Sequence, residues 1–377
     1  MKFTIQRDLL LQSIQDVQKA ISTRTAIPIL TGMKIETHAD GIVLTGSDSD
    51  ISIESFIPKE ENGIVNIEDI EEGAVVIHAR YFPDIIRKLP EQNVSIETDA
   101  DLNVTIRSGQ AIFNLNGQDA DEYPLLPELQ ADDSLQIDAG QLKNLIKQTV
   151  FAVSTMETRP ILTGVKMQLE NNLLSFTATD SHRLALREVP IEQTDLTFNC
   201  VIPGKSLHEL NKILADDEEK VEIRVTKNQI LFRTKHLKFL SRLLDGNYPE
   251  TSRLIPKEHK TVLYVRTKDL INTIDRASLL ARTDDNNVVK LTTQGTHTIE
   301  ITSHSPEVGH VTENVSAQSI EGEELRISFS SKYMLDALKV IEHEEIKIEF
   351  TGAMRPFIIR PINDTTILQL ILPVRTF

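Results

Sequence analysis

Two short acidic turns carry the residue types most able to do chemistry. Asp48 and Asp50 lie in the first turn, and Asp180 and His182 lie in the second. Paired carboxylates bind Mg²⁺ or act as general acid and base. One interpretation is therefore a metal-dependent nuclease or other hydrolase that uses Asp48, Asp180 and His182. Aspartate beside serine is also typical of an ordinary turn.

The rest of the sequence gives no support to catalysis. It contains no P-loop, G-x-G-x-x-G, H-E-x-x-H or G-x-S-x-G motif and no cysteine pair for a metal. Cys200 is the only cysteine, which excludes an intrachain disulfide and is typical of a reducing compartment. No signal peptide follows Met1, and no apolar run approaches the roughly 20 residues of a membrane span. We predict a cytoplasmic protein that is not an enzyme and needs no metal or cofactor.

The two acidic turns occupy equivalent positions of an internal repeat. Residues 28–34 and 160–166 match at six of seven positions, and residues 45–49 and 177–181 keep the same register. A fainter third copy has His304 at the position of the acidic residue. Because equivalent positions of a repeat belong to separate domains, we do not expect the acidic residues to meet in one metal site.

The repeat predicts three domains, at residues 1–128, 129–256 and 257–377. In each copy, apolar residues at helical spacing predict two helices, and period-2 alternation predicts a strand after the second helix. The predicted helices include residues 141–154, 267–282, 78–89, 204–215 and 331–342, and the strands are 94–97, 221–225 and 346–350. We therefore predict an α+β fold with both helices of each copy on one face of antiparallel sheets.

The charge is distributed unevenly along the chain. The formal net charge is −16, which taken alone argues against nucleic acid. In the predicted helices, however, basic residues outnumber acidic ones, while acidic residues concentrate in the loops. A basic face on an acidic body suits the surrounding of duplex DNA. Two alternatives remain: lysine and arginine simply favour helices, or the chain is a repeat-built scaffold for another ligand.

Domain size favours two chains over one. A domain of about 125 residues has a diameter of roughly 36 Å, so three in a closed ring leave a hole of about 6 Å and six leave one of roughly 36 Å. Duplex DNA is roughly 20 Å across. A head-to-tail pair of chains therefore has room for DNA, and a single chain does not.

The whole chain resembles the bacterial beta sliding clamps, the beta subunits of DNA polymerase III, of the low-GC Gram-positive type. The resemblance rests on Thr-Asp-Ser-His-Arg-Leu-Ala at 179–185, Asp-Gly-Asn-Tyr-Pro at 245–249 and Leu-Pro-Val-Arg at 372–375. It implies three clamp domains, each with two helices on an inner face and antiparallel sheets outside. It also implies a head-to-tail homodimeric ring that encircles duplex DNA as a processivity factor.

The resemblance also implies site residues and partners. The DNA-binding residues would be Arg24, Arg80, Lys143, Lys147, Arg159 and Lys205. An apolar groove for peptides of the DNA polymerase III catalytic subunit, the clamp loader, other polymerases and repair proteins would comprise Leu162, Thr179, His182, Arg183, Leu184, Pro249, Arg253, Leu254, Met354, Pro356, Leu370, Leu372, Pro373 and Val374. Arg183 and Arg253 would attract an acidic peptide residue at its rim. The dimer interface would pair edge strand 110–115, with Gln110, Ile112, Phe113 and Leu115, against Leu279 and Leu280 of the third domain. No membrane contact is implied.

Overall fold

The computed structural model describes residues 1–126, 129, 133–215, 219–281 and 287–375. The predicted domain boundary at residue 128, the predicted helix end at residue 282 and the last two residues of the tail lie outside this part of the chain. The chain forms two compact units, here called unit 1 and unit 2. Unit 1 comprises Met1–Gly140 and Lys212–Leu243, and unit 2 comprises Gln141–Asn211 and Leu244–Phe377.

Six α-helices occur in the described residues, two in each copy of the repeat. They are α1 (Arg7–Gln18), α2 (Phe82–Lys88), α3 (Ala139–Lys147), α4 (Gly204–Ile213), α5 (Thr267–Ala281) and α6 (Ser331–Lys339). Helix α2 is shorter than predicted and begins with Phe82 and Pro83. Proline fits the first turn of a helix because its missing N–H would have no partner there.

The described residues contain eleven strands in the first copy, eight in the second and nine in the third. The first copy contains β1 (Lys2–Gln6), β2 (Gly32–His38), β3 (Gly41–Ser47), β4 (Ile51–Pro58), β5 (Glu60–Glu61), β6 (Ile64–Val65), β7 (Ile67–Glu71), β8 (Gly73–His78), β9 (Asn93–Thr98), β10 (Asn103–Ser108) and β11 (Ala111–Gln118). The second contains β12 (Leu135–Asp138), β13 (Gly164–Glu170), β14 (Leu173–Thr179), β15 (Arg183–Pro190), β16 (Phe198–Pro203), β17 (Lys220–Val225), β18 (Gln229–Arg233) and β19 (Leu237–Arg242). The third contains β20 (Thr261–Arg266), β21 (Val288–Gln294), β22 (Thr298–Ser305), β23 (Gly309–Ser316), β24 (Ser319–Gly322), β25 (Arg326–Ser330), β26 (Glu345–Phe350), β27 (Phe357–Pro361) and β28 (Ile367–Ile371).

Unit 1 contains one large antiparallel sheet in addition to the small β5–β6 pair. Its thirteen strands run in the order β12-β17-β18-β19-β4-β3-β2-β8-β11-β10-β9-β1-β7. The strands of two copies meet where β4 pairs with β19, with Ser52 opposite Leu240. Helix α1 packs on β3 and β4 and against α2.

Unit 2 contains two antiparallel sheets. The nine-stranded sheet has the order β16-β13-β14-β15-β28-β27-β26-β20-β24, and the four-stranded sheet has the order β23-β22-β21-β25. Copies meet here where β15 pairs with β28, with Leu184 opposite Leu370. Helix α5 packs on β21, β22 and β23 and against α6. The predicted α+β fold, with helices on antiparallel sheets, is confirmed.

The apolar spacing of the helices explains this packing. Leu10, Ile14 and Val17 of α1 are all fully buried, and Leu270 and Ile274 occupy the buried stripe of α5. Such i, i+4, i+7 spacing places one apolar stripe against the sheet. Burial of a side chain of this size contributes about 1.5–3 kcal/mol. None of the helices in the described ranges is long and apolar enough to cross a membrane.

Each copy also begins with a strand, and these strands were missing from the prediction. Phe3 and Ile5 of β1 are buried between polar neighbours, and Leu135 and Ile137 of β12 repeat the pattern. Each of these strands is short and leads directly into a helix, so its alternation of apolar and polar residues is hard to recognise in the sequence.

Candidate functional site

The two acidic turns have one backbone conformation. Ser49 has φ 78° and Ser181 has φ 76°, both in the left-handed region. Asp48 Oδ1 accepts a hydrogen bond from the backbone N–H of Ile51 at 2.8 Å. Asp180 Oδ1 accepts from the backbone N–H groups two and three residues further on, at 2.9 and 3.0 Å. These aspartates therefore close hairpin turns by the usual Asx geometry.

These contacts give Asp48 and Asp180 a structural role in their turns. Asp50 is exposed at the first turn, and the ring of His182 stacks on Tyr333 with centroids 6.3 Å apart. Among the described residues, no group of three or more His, Cys, Asp or Glu side chains is arranged to hold a metal ion. The site interpretation based on Asp48, Asp180 and His182 therefore has no geometry to support it.

Arg183 is the central charged residue next to the second turn. Its Nε lies 3.0 Å from Asp180 Oδ2 and its Nη1 lies 2.7 Å from Asp336 Oδ2. Its Nη2 donates to the Phe151 carbonyl at 2.7 Å, and the guanidinium lies 4.5 Å from the Tyr333 ring centroid. The side chain is only 9% exposed. Two carboxylates and a backbone carbonyl already occupy its guanidinium, which leaves Arg183 poorly placed to attract a peptide as a rim charge.

An apolar cluster lies beside Arg183 on the β15–β28 pair, and it is here called the groove floor. Its four buried members are Leu184, Ile358, Leu368 and Leu370, with Leu186 and Ile255 packed against them. Leu184 faces Leu370 and Leu186 faces Leu368 across the two strands. Leu184 and Leu370 were predicted, whereas the other four were missed. The alternation at residues 184–186 and 368–370 indicates Leu186 and Leu368, because alternate residues share one face of a strand, whereas Ile255 and Ile358 lie outside these two runs.

Exposed apolar residues border the groove floor along the chain. Leu254 is 52% exposed and precedes Ile255, and Met354 is 57% exposed in the turn before β27. Leu372 is 36% exposed and directly follows β28. Arg253 is also exposed and carries a positive charge on this side. Exposed apolar side chains in the segments next to the groove-floor strands are typical of a surface that binds a partner.

Backbone hydrogen bonds hold the C-terminal segment in place. The N–H of Leu372 donates to the His182 carbonyl at 2.9 Å, and the N–H of Val374 donates to the Ser328 carbonyl at 2.8 Å. Pro373 between them is half-buried. The tail therefore extends the strand edge formed by β28.

The remaining predicted groove residues differ in how far they are exposed. Leu162 and Thr179 are buried, Pro356 is half-buried and Pro249 is exposed. The backbone N–H of Thr179 donates to the Tyr248 hydroxyl at 3.1 Å. Burial raises the pKa of Tyr248 to about 12, so its hydroxyl stays neutral.

The predicted interface strand in unit 1 is β11, and most of one of its edges is unpaired in the described part of the chain. It pairs with β10 over residues 111–116, and with β8 only at Gly117 and Gln118. Ile112 is 55% exposed and Phe113 is 38% exposed, while Leu115 is half-buried. Gln110 lies in the turn before the strand rather than in it.

The predicted interface residues of unit 2 lie on α5. Leu279 is 59% exposed and Leu280 is half-buried near the end of the helix. Helix α5 packs on β23, the last strand of its sheet, which pairs only with β22 in the described part of the chain. Val308, which precedes β23, is 62% exposed. Strand β23 was not predicted from the sequence; in the structure its residues 309–316 alternate between exposed and less exposed positions.

The predicted DNA-binding residues are mostly at the surface. Arg24, Arg80, Lys147, Arg159 and Lys205 are exposed, and Lys143 is half-buried. The Arg80 guanidinium lies 5.1 Å from the Tyr81 ring centroid. Lys147 Nζ lies 2.6 Å from Glu342 Oε1, so this charge is partly compensated.

Three copies of a strand–helix–strand unit, with helices on antiparallel sheets and unpaired strand edges, define a DNA-clamp fold. The family models for the DNA polymerase III beta subunit match this chain over all three domains. The N-terminal domain matches residues 1–127, the central domain residues 136–250 and the C-terminal domain residues 252–375. The chain belongs to the DNA polymerase III beta subunit family, the bacterial beta sliding clamps.

Individual relatives agree with this assignment. The chain is 60% identical to the beta sliding clamp of Bacillus subtilis and 50% identical to that of Staphylococcus epidermidis, with 100% of each protein covered. It is similar to the crystal structure of the Bacillus subtilis DNA polymerase sliding clamp, with 59% identity, full coverage of both chains and a TM-score of 0.96. The beta subunit structure from Streptococcus pyogenes gives 39% identity, full coverage of both chains and a TM-score of 0.94. The resemblance stated from the sequence is confirmed.

Proposed function

We propose that two copies of this chain close head to tail into a ring that encircles duplex DNA. The observation that carries this proposal is the way copies of the repeat are joined. Within the chain, β4 pairs with β19 and β15 pairs with β28. In both joints, the strand that ends the consecutive run β2–β3–β4 or β13–β14–β15 pairs with the last strand of the next copy.

The same joint is incomplete at both ends of the repeat. In the third copy, β23 is equivalent to β4 and β15, and in the first copy, β11 is equivalent to β19 and β28. Among the described residues, β23 and most of β11 have no partner on that edge. Pairing β23 of one chain with β11 of a second chain repeats the internal joint and closes the ring. Exposed Ile112, Phe113 and Leu279 would be buried there.

The proposed ring holds DNA without reading its sequence. Exposed Arg24, Arg80, Arg159 and Lys205 suit phosphate contacts, which position a protein on DNA but carry no base information. The acidic remainder of the chain repels nucleic acid from other surfaces. In this proposal the protein is a non-catalytic processivity factor of the cytoplasm that needs no cofactor. The domains extend over residues 1–128, 129–256 and 257–377.

We infer that the groove floor binds short apolar peptides of the replication and repair machinery. Candidate partners are the DNA polymerase III catalytic subunit, the clamp loader, other polymerases and repair proteins. The buried leucines supply the apolar floor, and Met354 supplies an adaptable edge. Arg253, rather than Arg183, would attract an acidic residue of the peptide.

Retention on circular against linear DNA tests the ring. The protein is loaded onto nicked circular DNA with the clamp loader and ATP, and half of the DNA is then linearised. We expect the protein to remain on circles and to leave through the free ends at moderate salt. Equal retention on both forms would mean binding by ordinary contacts, and encirclement would be wrong.

A further inference from the structure

A cavity lies at the β4–β19 joint of unit 1. Its volume is about 420 Å³, and Leu231, Leu240, Leu125, Lys34, Arg233 and Lys238 are among the residues that line it. This volume falls in the range of cavities that bind small ligands or a few side chains. Leu240 is almost buried at its base, whereas Leu125 is 91% exposed at its edge.

Strand register shows that this cavity is the repeat equivalent of the groove floor. Leu240 lies opposite Ser52 in the β4–β19 joint, as Leu370 lies opposite Leu184 in the β15–β28 joint. Leu231 lies opposite Leu240, as Ile358 lies opposite Leu370. Residues 123–126 follow the last β-strand of the first copy and line the cavity, while residues 248–254 follow the last β-strand of the second copy and lead to Ile255, which packs on the groove floor.

The two equivalent surfaces differ in polarity. At the cavity, Ser52 replaces Leu184, Glu54 replaces Leu186 and Lys238 replaces Leu368. The apolar lining of the cavity is therefore limited to Leu231, Leu240 and the residues that follow β11. Charged side chains occupy the remaining positions.

Most of these charges are already paired. Lys34 Nζ lies 2.8 Å from Glu36 Oε1, and Lys238 Nζ lies 2.6 Å from Glu54 Oε2. Arg224 lies 2.7 Å from Glu222. Arg233 is exposed and forms no ion pair among the described residues. The cavity is therefore apolar at its base and carries one uncompensated positive charge at its edge.

We propose that this cavity is a second peptide-docking site, for a partner segment that carries leucine-sized anchors and one carboxylate. The ligand class rests on the proposed function of the groove floor, since the two surfaces are equivalent positions of one repeat. The anchors occupy the space over Leu231 and Leu240. The carboxylate pairs with Arg233, whose planar guanidinium donates two parallel hydrogen bonds to the carboxylate oxygens. A basic peptide gains no such pair and meets a like charge.

Calorimetric titration with a defined peptide tests the proposal on the full chain. The probe is the synthetic hexapeptide Ser-Asp-Leu-Leu-Ser-Leu with blocked ends, and the counterpart carries lysine in place of aspartate. The matched variants are Arg233→Glu at the cavity and Arg253→Glu at the groove floor, since both arginines are exposed. Circular dichroism verifies that both variants stay folded.

We expect two binding sites per chain for the acidic peptide. Arg233→Glu should weaken one site by at least about fivefold and leave the other unchanged, in line with loss and reversal of one charged contact. Arg253→Glu should weaken only the other site, and the lysine peptide should not bind at the Arg233-dependent site.

The outcomes separate this inference from the proposed function. A single site that responds to Arg253→Glu alone overturns the cavity proposal and keeps the groove. A single site that responds to Arg233→Glu alone supports peptide docking at the cavity and contradicts peptide binding at the groove floor. Absence of both sites at millimolar peptide overturns both.

Discussion

At the residue scale, Arg183 links the second acidic turn to the helices of unit 2. Its guanidinium contacts Asp180, Asp336 and the Phe151 carbonyl while only 9% of the side chain is exposed. A buried ion pair adds little against an apolar replacement, but removal of one partner leaves the others uncompensated. This residue therefore matters for folding more than for attraction of a peptide.

Substitution of Arg183 should destabilise the protein. We expect Arg183→Ala to lower the free energy of unfolding by about 2–3 kcal/mol, since Asp180 loses its partner in a largely buried setting while solvent screens the more exposed Asp336. Denaturant unfolding followed by circular dichroism measures the change. The control is Arg253→Ala, which removes an exposed arginine near the same surface and should cost less than about 0.5 kcal/mol. Equal stability of the two variants would contradict the role given to Arg183.

The single thiol should be unreactive in the folded protein. Burial raises the pKa of Cys200 to about 12 from an ordinary value of 9.0, so the thiolate is about a thousandfold less populated at neutral pH. We expect negligible labelling by iodoacetamide in buffer and complete labelling in concentrated guanidinium chloride, measured by mass spectrometry. Rapid labelling of the native protein would show that Cys200 is accessible.

Burial is also the property that the residue types alone did not reveal. Arg183 and Arg253 are indistinguishable as letters in polar segments, and only packing separates a buried ion pair from an exposed surface charge. Leu184 and Leu370 were predicted through the family resemblance. Ile358 and Leu368 belong to the same cluster but come from strands whose pairing the sequence does not display.

At the element scale, the joints between copies of the repeat are the principal feature. Helical spacing and the repeat predicted six helices, although α3 ends at Lys147, short of the predicted residue 154, and Val150–Ala152 form a separate 3-10 helix. The initial strands and the open edge of β23 were missed, since both depend on which strand pairs with which. Such pairings join residues far apart in sequence, as β15 and β28 do.

A charge at the open edge of β11 should prevent pairing between chains. We expect Ile112→Asp to raise the dimer dissociation constant by at least about a hundredfold, because a carboxylate would be buried without a partner. Sedimentation velocity over a concentration series measures this change. The control is Ile64→Asp, which alters an isoleucine of similar exposure in the small β5–β6 sheet. A dimer that persists unchanged in Ile112→Asp would exclude β11 from the interface.

Removal of the C-terminal tail should separate partner binding from dimer formation. We expect truncation of residues 372–377 to abolish peptide binding at the groove floor, because it removes Leu372 and the strand edge after β28. The dimer should remain, since β11 and α5 are untouched. Fluorescence polarisation with a labelled peptide and sedimentation on the same sample measure both. Unchanged peptide affinity would refute the groove assignment.

At the whole-molecule scale, a net charge of −16 coexists with exposed basic residues on several helices and loops. Composition alone favoured a protein that avoids nucleic acid. The internal repeat and the concentration of basic residues in the predicted helices favoured the opposite conclusion, because they indicate where the charges lie. The arrangement of the chains still depended on which strand edges remain open, and sequence periodicity does not display that property.

Loss of one basic loop residue should weaken DNA loading without any preference for base sequence. We expect Arg24→Ala to reduce the amount of protein loaded on nicked circles severalfold at moderate salt, and to reduce the salt dependence by about one phosphate contact. Loading on circles of two different base compositions measures the effect. A defect confined to one composition would contradict a phosphate contact.

The two kinds of joint also differ in molecularity. Those at β4–β19 and β15–β28 are unimolecular, since both strands belong to one polypeptide, whereas pairing of β11 with β23 requires a collision between two chains. In the proposed assembly, dilution therefore acts only on the two bimolecular joints. A clamp loader would open the ring at these joints, because separating two chains there does not unfold a sheet within either chain. In the same proposed assembly, the amount of closed ring would depend on the concentration of this polypeptide, whereas a ring already around DNA would persist for as long as both bimolecular joints stay closed.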